Sequence, residues 1–280
     1  MSEGNESHFR AQRYKHEPYF EMSKAHFHPF YEVYYLISGK RRFFVSDTVY
    51  ELEPGNLLLI KKGELHRTTY VSAETHERFA ITFSDTFLKH LIKETSAETV
   101  MELFEKPFLS IQTSRRAYVE ELMQKLVQES EHPDEFSPFQ IQNSLEELII
   151  FLIRFQKTFE IPDITTSFHN PELANTIQTS ARYIRKNYAN IITLEAMAKK
   201  ANMSPAYFSK KFREVTSFGF KEYLIRIRLA ESCKLLLDTT DSITEIALSC
   251  GFNDSNYFGD LFRKVKGVSP LQYRKNKELI

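Results

Sequence analysis

His26, His28 and Glu32 lie within one stretch of seven residues, and His66 follows after a run punctuated by Gly39, Gly55 and Gly63. Imidazole and carboxylate donors on neighbouring strands suit a divalent transition ion such as Fe, Mn, Ni or Zn, with coordination positions left open for a second molecule. A different set stands near the other end of the chain: Lys210, Arg213, Asn256, Arg263 and Lys264. Cationic side chains of this kind hold phosphates, while lysine and asparagine can also read base edges. Charge separates the two sets. The chain carries 37 basic and 37 acidic residues, but residues 173–280 hold 18 Lys plus Arg against 10 Asp plus Glu, a balance of +8. The rest, 19 basic against 27 acidic, carries −8. A polyanion is expected to meet only the C-terminal part.

The elements that must position these groups change character along the chain. From about Tyr19 to Phe83, aromatic and β-branched residues fill short runs: YEVYYLI, RRFFVS, TVYELE, NLLLIK, HRTTYV and RFAITF. Turn signals at Ser38-Gly39, Ser46-Asp47, Pro54-Gly55 and Lys62-Gly63 separate them, so an antiparallel β-sandwich or barrel is expected. Strand alternation puts Tyr34 and Leu36 on the side of Glu32, and Thr68 on the side of His66. Beyond Phe83 the period becomes helical over Asp85 to Leu103, Ser114 to Glu131 and Ser137 to Phe159. The last of these carries a wide apolar stripe, Ile141, Leu145, Leu148, Ile149 and Leu152, which must pack on the β-part, on a second copy of the chain, or on both. Glu160 to Asn170, with Pro162 and Thr165-Thr166-Ser167, reads as a linker.

A chain of 280 residues, 42% hydrophobic and 26% charged, fits two soluble globular domains. Its longest apolar run, Leu148 to Ile153, is far short of the roughly 20 residues of a membrane span. The polar start, MSEGNESHFR, shows no secretory signal, and Cys233 and Cys250 both sit in helical patterns as small core residues. A reducing cytoplasm fits both observations.

The C-terminal part contains one pattern twice. Ile243, Ile246 and Ala247 mark a helix that Gly251 ends; Asp254 or Ser255 then caps a second helix carrying Tyr257, Phe258, Leu261 and Phe262, and Pro270 opens a last helical turn. Upstream, Thr193 caps a helix with Leu194, Met197, Ala198 and Ala201, and Ser204-Pro205 opens another with Tyr207, Phe208 and Phe212 inward or partly inward. Gly-Phe, Tyr-Phe, Phe-Arg-Lys, Gly-x-Ser-Pro and Tyr-Arg stand in order through Ile243 to Arg274, and this string resembles the helix-turn-helix signature of the AraC family of bacterial transcription regulators. The duplication extends the resemblance to about a hundred residues. One departure is Ser217, which stands where the second unit has Gly267 and leaves Gly219 as the expected site of chain reversal.

Phe220 to Leu237 lacks Gly and Pro; as an α-helix it spans about 27 Å, a spacer that lets two recognition helices reach major-groove segments roughly 34 Å apart. With the phenylalanines inward, Ala206, Ser209, Lys210 and Arg213 face the groove from the first unit. Ser255, Asn256, Gly259, Asp260 and Arg263, with Lys264 on phosphate, face it from the second. Asp260 is unexpected, because the family often has a basic residue there; a cytosine amino group is one partner it can accept from.

His26-x-His28-x3-Glu32-x6-Gly39, with Gly55 to His66, resembles the two motifs of the cupin barrel, although Lys61 replaces a Pro and Tyr70 replaces a terminal Asn. In metal-binding cupins the positions of His26, His28, Glu32 and His66 coordinate a divalent metal. In AraC-type sensors such residues instead line a metal-free pocket that hydrogen-bonds a small ligand. The expected architecture is α+β. Residues 1–160 form a cupin-like β-barrel with flanking helices for ligand sensing and dimerisation. A linker occupies 161–172, and an all-α DNA-binding domain with two helix-turn-helix units occupies 173–280. The expected function is sequence-specific regulation of transcription in response to a sugar or related metabolite, bound at His26, His28, Glu32, Tyr34 and His66. No cofactor is expected beyond the metal alternative. A metal-dependent cupin enzyme fused to a DNA-binding domain is the competing reading. Double-stranded DNA, the effector, RNA polymerase and a second copy of the chain are the partners, with no membrane.

Overall fold

The computed structural model describes residues 8–20, 27–71, 73–159 and 170–275. Among these residues, eight strands form two antiparallel sheets. β1 (Phe9–His16), β7 (His76–Phe83), β2 (Tyr31–Ser38), β5 (Asn56–Ile60) and β8 (Phe108–Ser110) lie side by side in that order; β4 (Thr48–Leu52), β3 (Arg41–Val45) and β6 (His66–Tyr70) make the second sheet. The turns fall where the Gly and Ser-Asp dipeptides predict, with left-handed backbone at Gly39, Ser46, Gly55 and Gly63.

The expected strand region starts too late and ends too early. β1 pairs with β7 over eight residues but is the edge of its sheet, and FRAQRYKH carries the charged side chains that edges need, so its alternation is faint. β8 is only three residues long and lies at the other edge, between helices.

Alternation divides β2 between two cores. Val33 and Tyr35 join Leu57, Leu59, Phe79 and Ile81 on the outer face, beneath α1 (Lys89–Glu94), α2 (Ala97–Glu105), α3 (Thr113–Glu131) and α4 (Ser137–Thr158). The stripe Leu145, Leu148, Ile149 and Leu152 of α4 is buried there, so it is covered within the chain's own core, where α4 packs on α3 and α2. Tyr34 and Leu36 point the other way and pack with Phe43, Val45, Leu58 and Ile60 between the sheets.

The C-terminal part is helical: α5 (Pro171–Lys186), α6 (Leu194–Lys200), α7 (Pro205–Thr216), α8 (Phe220–Asp238), α9 (Ile243–Ser249), α10 (Ser255–Lys266) and α11 (Pro270–Lys275). Side chains of Asn170, Thr193, Ser204, Ser242 and Asp254 cap five of these helices by accepting bonds from free backbone N–H groups. Gly251 ends the turn after α9 at φ +83°, where a Cβ would lie 2.7 Å from the Ala189 carbonyl oxygen. The chain reversal after α7 corrects the expectation: Ser217 itself takes the left-handed conformation at φ 63°, and Gly219 is extended. Thr216 makes this tolerable, because its hydroxyl accepts from Phe218 N–H and fixes the turn. A second correction concerns Tyr207, which is exposed, whereas Phe208 and Phe212 are fully buried. The expected linker lies almost wholly outside the described residues.

The two parts pack together. Phe27, Phe44, Val49 and Leu65 of the sheet domain belong to the same buried cluster as the helical core. Phe44 lies 5.5 Å from the Phe218 ring and 5.6 Å from the Tyr223 ring. Polar contacts surround it: Tyr223 donates to the Ser46 carbonyl, Arg67 to the Ser217 carbonyl, and Arg185 to buried Asp47 at 2.7 Å.

Candidate functional site

β2 carries Glu32 and β6 carries His66 into the space between the sheets, and His28 stands on the segment entering β2. His28 Nε2 lies 3.1 Å from Glu32 Oε2, and His66 Nε2 lies 3.5 Å from the same oxygen. The other nitrogen of each ring faces a carbonyl: His28 Nδ1 is 3.0 Å from Phe30 O, and His66 Nδ1 is 2.9 Å from Glu64 O. A carbonyl only accepts, so both Nδ1 atoms carry hydrogen and both Nε2 atoms are turned toward one carboxylate. Two lone pairs against an anion require positive charge between them, either protons on the rings or a metal cation. The three donor atoms lie within 4.8 Å of one another, a spacing that fits a small divalent ion. Burial alone would raise the Glu32 carboxyl; the hydrogen bond from His28 and the charges of His66, His28 and Arg78 outweigh it and hold the group at about 2. Tyr34 is fully buried on the same face of β2. His26 lies outside the described residues.

Arg41 and Arg78 also enter this space, with 1% and 8% of their surface exposed. A strand arginine ordinarily points to solvent, so neither stands out in the sequence as a candidate. The available signal was alternation: Arg78, Ala80 and Thr82 of β7 pair with Leu36, Tyr34 and Glu32 of β2 and share their face.

In the helical domain, α7 and α10 turn Phe208, Phe212, Phe258 and Phe262 inward. Ala206, Lys210, Arg213, Asn256, Asp260, Arg263 and Lys264 are exposed on the opposite faces, with Ser209, Ser255 and Gly259 half-buried at their edges. The structure therefore brings the expected reading residues onto the outer surfaces of two helices joined by α8, which at 19 residues is about 28 Å long. Tyr207 and Tyr257 stand beside them, about half accessible. Lys266, at the end of α10, faces elsewhere: its ammonium donates to the Phe27 carbonyl at 3.2 Å and lies 3.6 Å from the Phe27 ring centroid, and burial lowers its pKa. Both cysteines are buried and unpaired, and burial raises each thiol to about 11, as core residues rather than reactive ones.

No helix of the described residues is long and apolar enough to cross a membrane. Residues 12–149 match the AraC-like ligand binding domain, and residues 197–276 match the helix-turn-helix domain. The chain is 39% identical over 113 residues to the uncharacterized HTH-type transcriptional regulator YijO of Escherichia coli, a match spanning 37% of this chain and 40% of that relative. It is 22% identical over 271 residues to the HTH-type transcriptional activator RhaR of Mannheimia succiniciproducens, covering 96% of this chain and 92% of that one. Among solved structures, the C-terminal domain of AraT, a response regulator from Geobacillus stearothermophilus, is 35% identical at a TM-score of 0.36 and covers 38% of this chain and 88% of that one. With both domain types in order along one chain and the duplicated helix-turn-helix unit at its end, this protein belongs to the AraC family of DNA-binding transcription regulators.

Proposed function

We propose that the chain regulates transcription in response to a sugar or related small metabolite held between the two sheets. The carrying observation is the cluster of half-buried His28 with buried Glu32 and His66, whose oriented donors and acceptor, with Tyr34 beside them, suit the hydroxyl groups of such a ligand. The division into residues 1–160, a linker at 161–172 and 173–280 belongs to this reading. In it, Lys210 reads guanine and Asn256 adenine. Arg213, Arg263 and Lys264 hold phosphate, Asp260 accepts from cytosine, and Ala206, Ser209, Ser255 and Gly259 allow close approach. Gel shifts on operator fragments selected from genomic DNA test the face: Lys210→Ala and Asn256→Ala should each weaken specific binding by about 1–3 kcal/mol while leaving non-specific binding nearly intact. Unchanged specific affinity in both variants would count against it.

A homodimer through α3 and α4 is part of the same reading. Tyr118 and Ile150 are exposed there beside a groove lined by Arg115, Glu147, Phe151 and Phe155. Action in the cytoplasm with RNA polymerase, as an activator, follows the relative named as an activator. A metal at His28, Glu32 and His66 is the second reading, favoured by the two Nδ1–carbonyl bonds that orient the rings as bound imidazoles are oriented. Such an ion would give the effector a direct ligand position. Metal analysis of the purified chain decides between them.

A further inference from the structure

The inter-sheet space has a second polar end, built around Arg78 of β7. Its guanidinium lies over two rings, 5.0 Å from the Tyr14 centroid and 5.1 Å from that of Tyr34. Held this way, the plane is fixed and only its edge is available for hydrogen bonding. That edge is scarcely used: one terminal nitrogen lies 3.4 Å from His16 Nε2, and Nε is buried without a partner. His76, two residues earlier on the same strand face, is 2% exposed, and its Nε2 is also buried without a partner. The Tyr34 hydroxyl is fully buried and, apart from its interaction with Arg78 itself, has no hydrogen-bond partner among the described residues.

Three buried polar groups that meet with hydrogen-bonding capacity left unused among the described residues are not a packing solution, since each loses its water for little in return. No carboxylate pairs with Arg78 among the described residues; Glu32, on the same face, is already engaged by His28 and His66. Arg41, also buried on the inner face of β3, adds positive charge to this end, and the charges of both arginines act on His76. A planar guanidinium with a free edge matches a carboxylate or phosphate, which accepts two parallel bonds. A neutral hydroxyl cannot balance the charge.

We infer that Arg78, with His76 and the Tyr34 hydroxyl, is an oxyanion subsite, so that the effector is a hydroxylated organic anion: its hydroxyl groups at the Glu32 end and its carboxylate or phosphate at the Arg78 end. This rests on the effector-pocket reading above and narrows it from sugars in general to acidic ones, carboxylated or phosphorylated.

The test is thermal melting of the full-length protein with sodium acetate, sodium phosphate, D-glucuronate, D-glucose 6-phosphate and D-glucose, each raised to tens of millimolar against sodium chloride of equal ionic strength. At least one oxyanion probe should raise the melting temperature above the chloride control. The acetate and glucuronate arms against the phosphate and glucose 6-phosphate arms show which group is taken. Arg78→Gln should weaken that probe by roughly 10- to 100-fold, the loss expected for a charge-assisted bond. Arg78→Lys keeps the charge but loses the fork, should weaken it less, and carries the comparison if Arg78→Gln does not fold; the ligand-free melts show which variants fold. The inference is overturned if no oxyanion exceeds the chloride control, or if the shift is the same in a folded Arg78 variant. Stabilisation by D-glucose alone, unaffected by Arg78→Gln and lost in Glu32→Gln, would overturn it while leaving the effector-pocket reading in place.

Discussion

Phe43 and Phe44 are neighbours on β3 with opposite duties, and replacing each by alanine should separate them. Phe43 is 1% exposed and meets Tyr34 inside the sheet domain at a centroid distance of 4.5 Å. Phe44 is 2% exposed but is buried by the helical domain, against Phe218 and Tyr223. Truncating a buried phenylalanine costs about 3–5 kcal/mol. For Phe43→Ala the loss falls on the sheet domain, whose melting temperature should drop by roughly 6–20 °C at about 2–4 °C per kcal/mol. For Phe44→Ala it falls on docking, because Phe44 is buried against Phe218 and Tyr223 of the helical domain rather than inside its own. A loss of about 3 kcal/mol shifts the docked-to-open ratio by more than roughly 100-fold. Scanning calorimetry should then show the two domains melting apart in Phe44→Ala but not in Phe43→Ala. If both variants lower a shared transition by the same amount and neither resolves it, Phe44 is not a docking residue and the interface has been misread.

Glycine substitutions test the helical domain. Gly251→Ala forces a side chain into φ +83° with carbonyl oxygens at 2.7 and 2.9 Å, and should destabilise the isolated 170–280 fragment by about 2 kcal/mol or more in urea. Gly259→Ala meets open space within α10 and should stabilise the fold by about 0.5–1 kcal/mol while weakening operator binding; unchanged binding in gel shifts would remove Gly259 from the reading face. Acid sensitivity has a specific source at His76. Burial, helped by the charges of Arg41, His16 and Arg78, brings its pKa down to about 3 from 6.5. Above pH 6.5 the ring is neutral in both states; below it, only the unfolded chain takes up the proton, so stability falls toward pH 3 at up to about 1.4 kcal/mol per pH unit. Urea melts of the protein and of His76→Asn from pH 7 to 4 should diverge in slope by that amount, and parallel slopes would refute the assignment.

What could be read in advance follows the range of the forces involved. The helix-turn-helix units are written in local signals: capping residues at Thr193, Ser204, Ser242 and Asp254, Gly251 at the turn, and paired phenylalanines four residues apart. Strand alternation likewise put Tyr34 on the side of Glu32 in β2 and Thr68 on the side of His66 in β6, because a period of two leaves no other choice within a strand. Ser217 misled because its left-handed turn depends on Thr216, whose hydroxyl contribution competes with the usual preference for glycine. Arg41, Arg78 and Asp47 misled for a different reason. Charge on a strand or turn reads as solvent-facing until a partner 21 to 138 residues away is known, as Arg185 is for Asp47.

The same long-range packing says how a pocket can reach DNA. His28 faces Glu32, and its neighbour Phe27 takes the Lys266 ammonium at the end of the second recognition helix. On the first unit, Ser46 and Phe44 meet Tyr223, and Arg67 meets the turn at Ser217. Both units are therefore held by strand ends of the domain that contains the candidate pocket, at positions one residue from His28 and one residue from His66. A bound effector changes docking only by the difference in its affinity for the docked and open arrangements. A docked interface weakened by about 1.4 kcal/mol opens ten times more often, which sets the scale of the difference an effector has to make. Lys266→Met, which keeps the aliphatic packing on Phe27 but removes the bond to its carbonyl, should loosen the second unit alone. The ratio of effector affinities with and without operator DNA should then move toward unity; an unchanged ratio would mean that coupling runs through the first unit only.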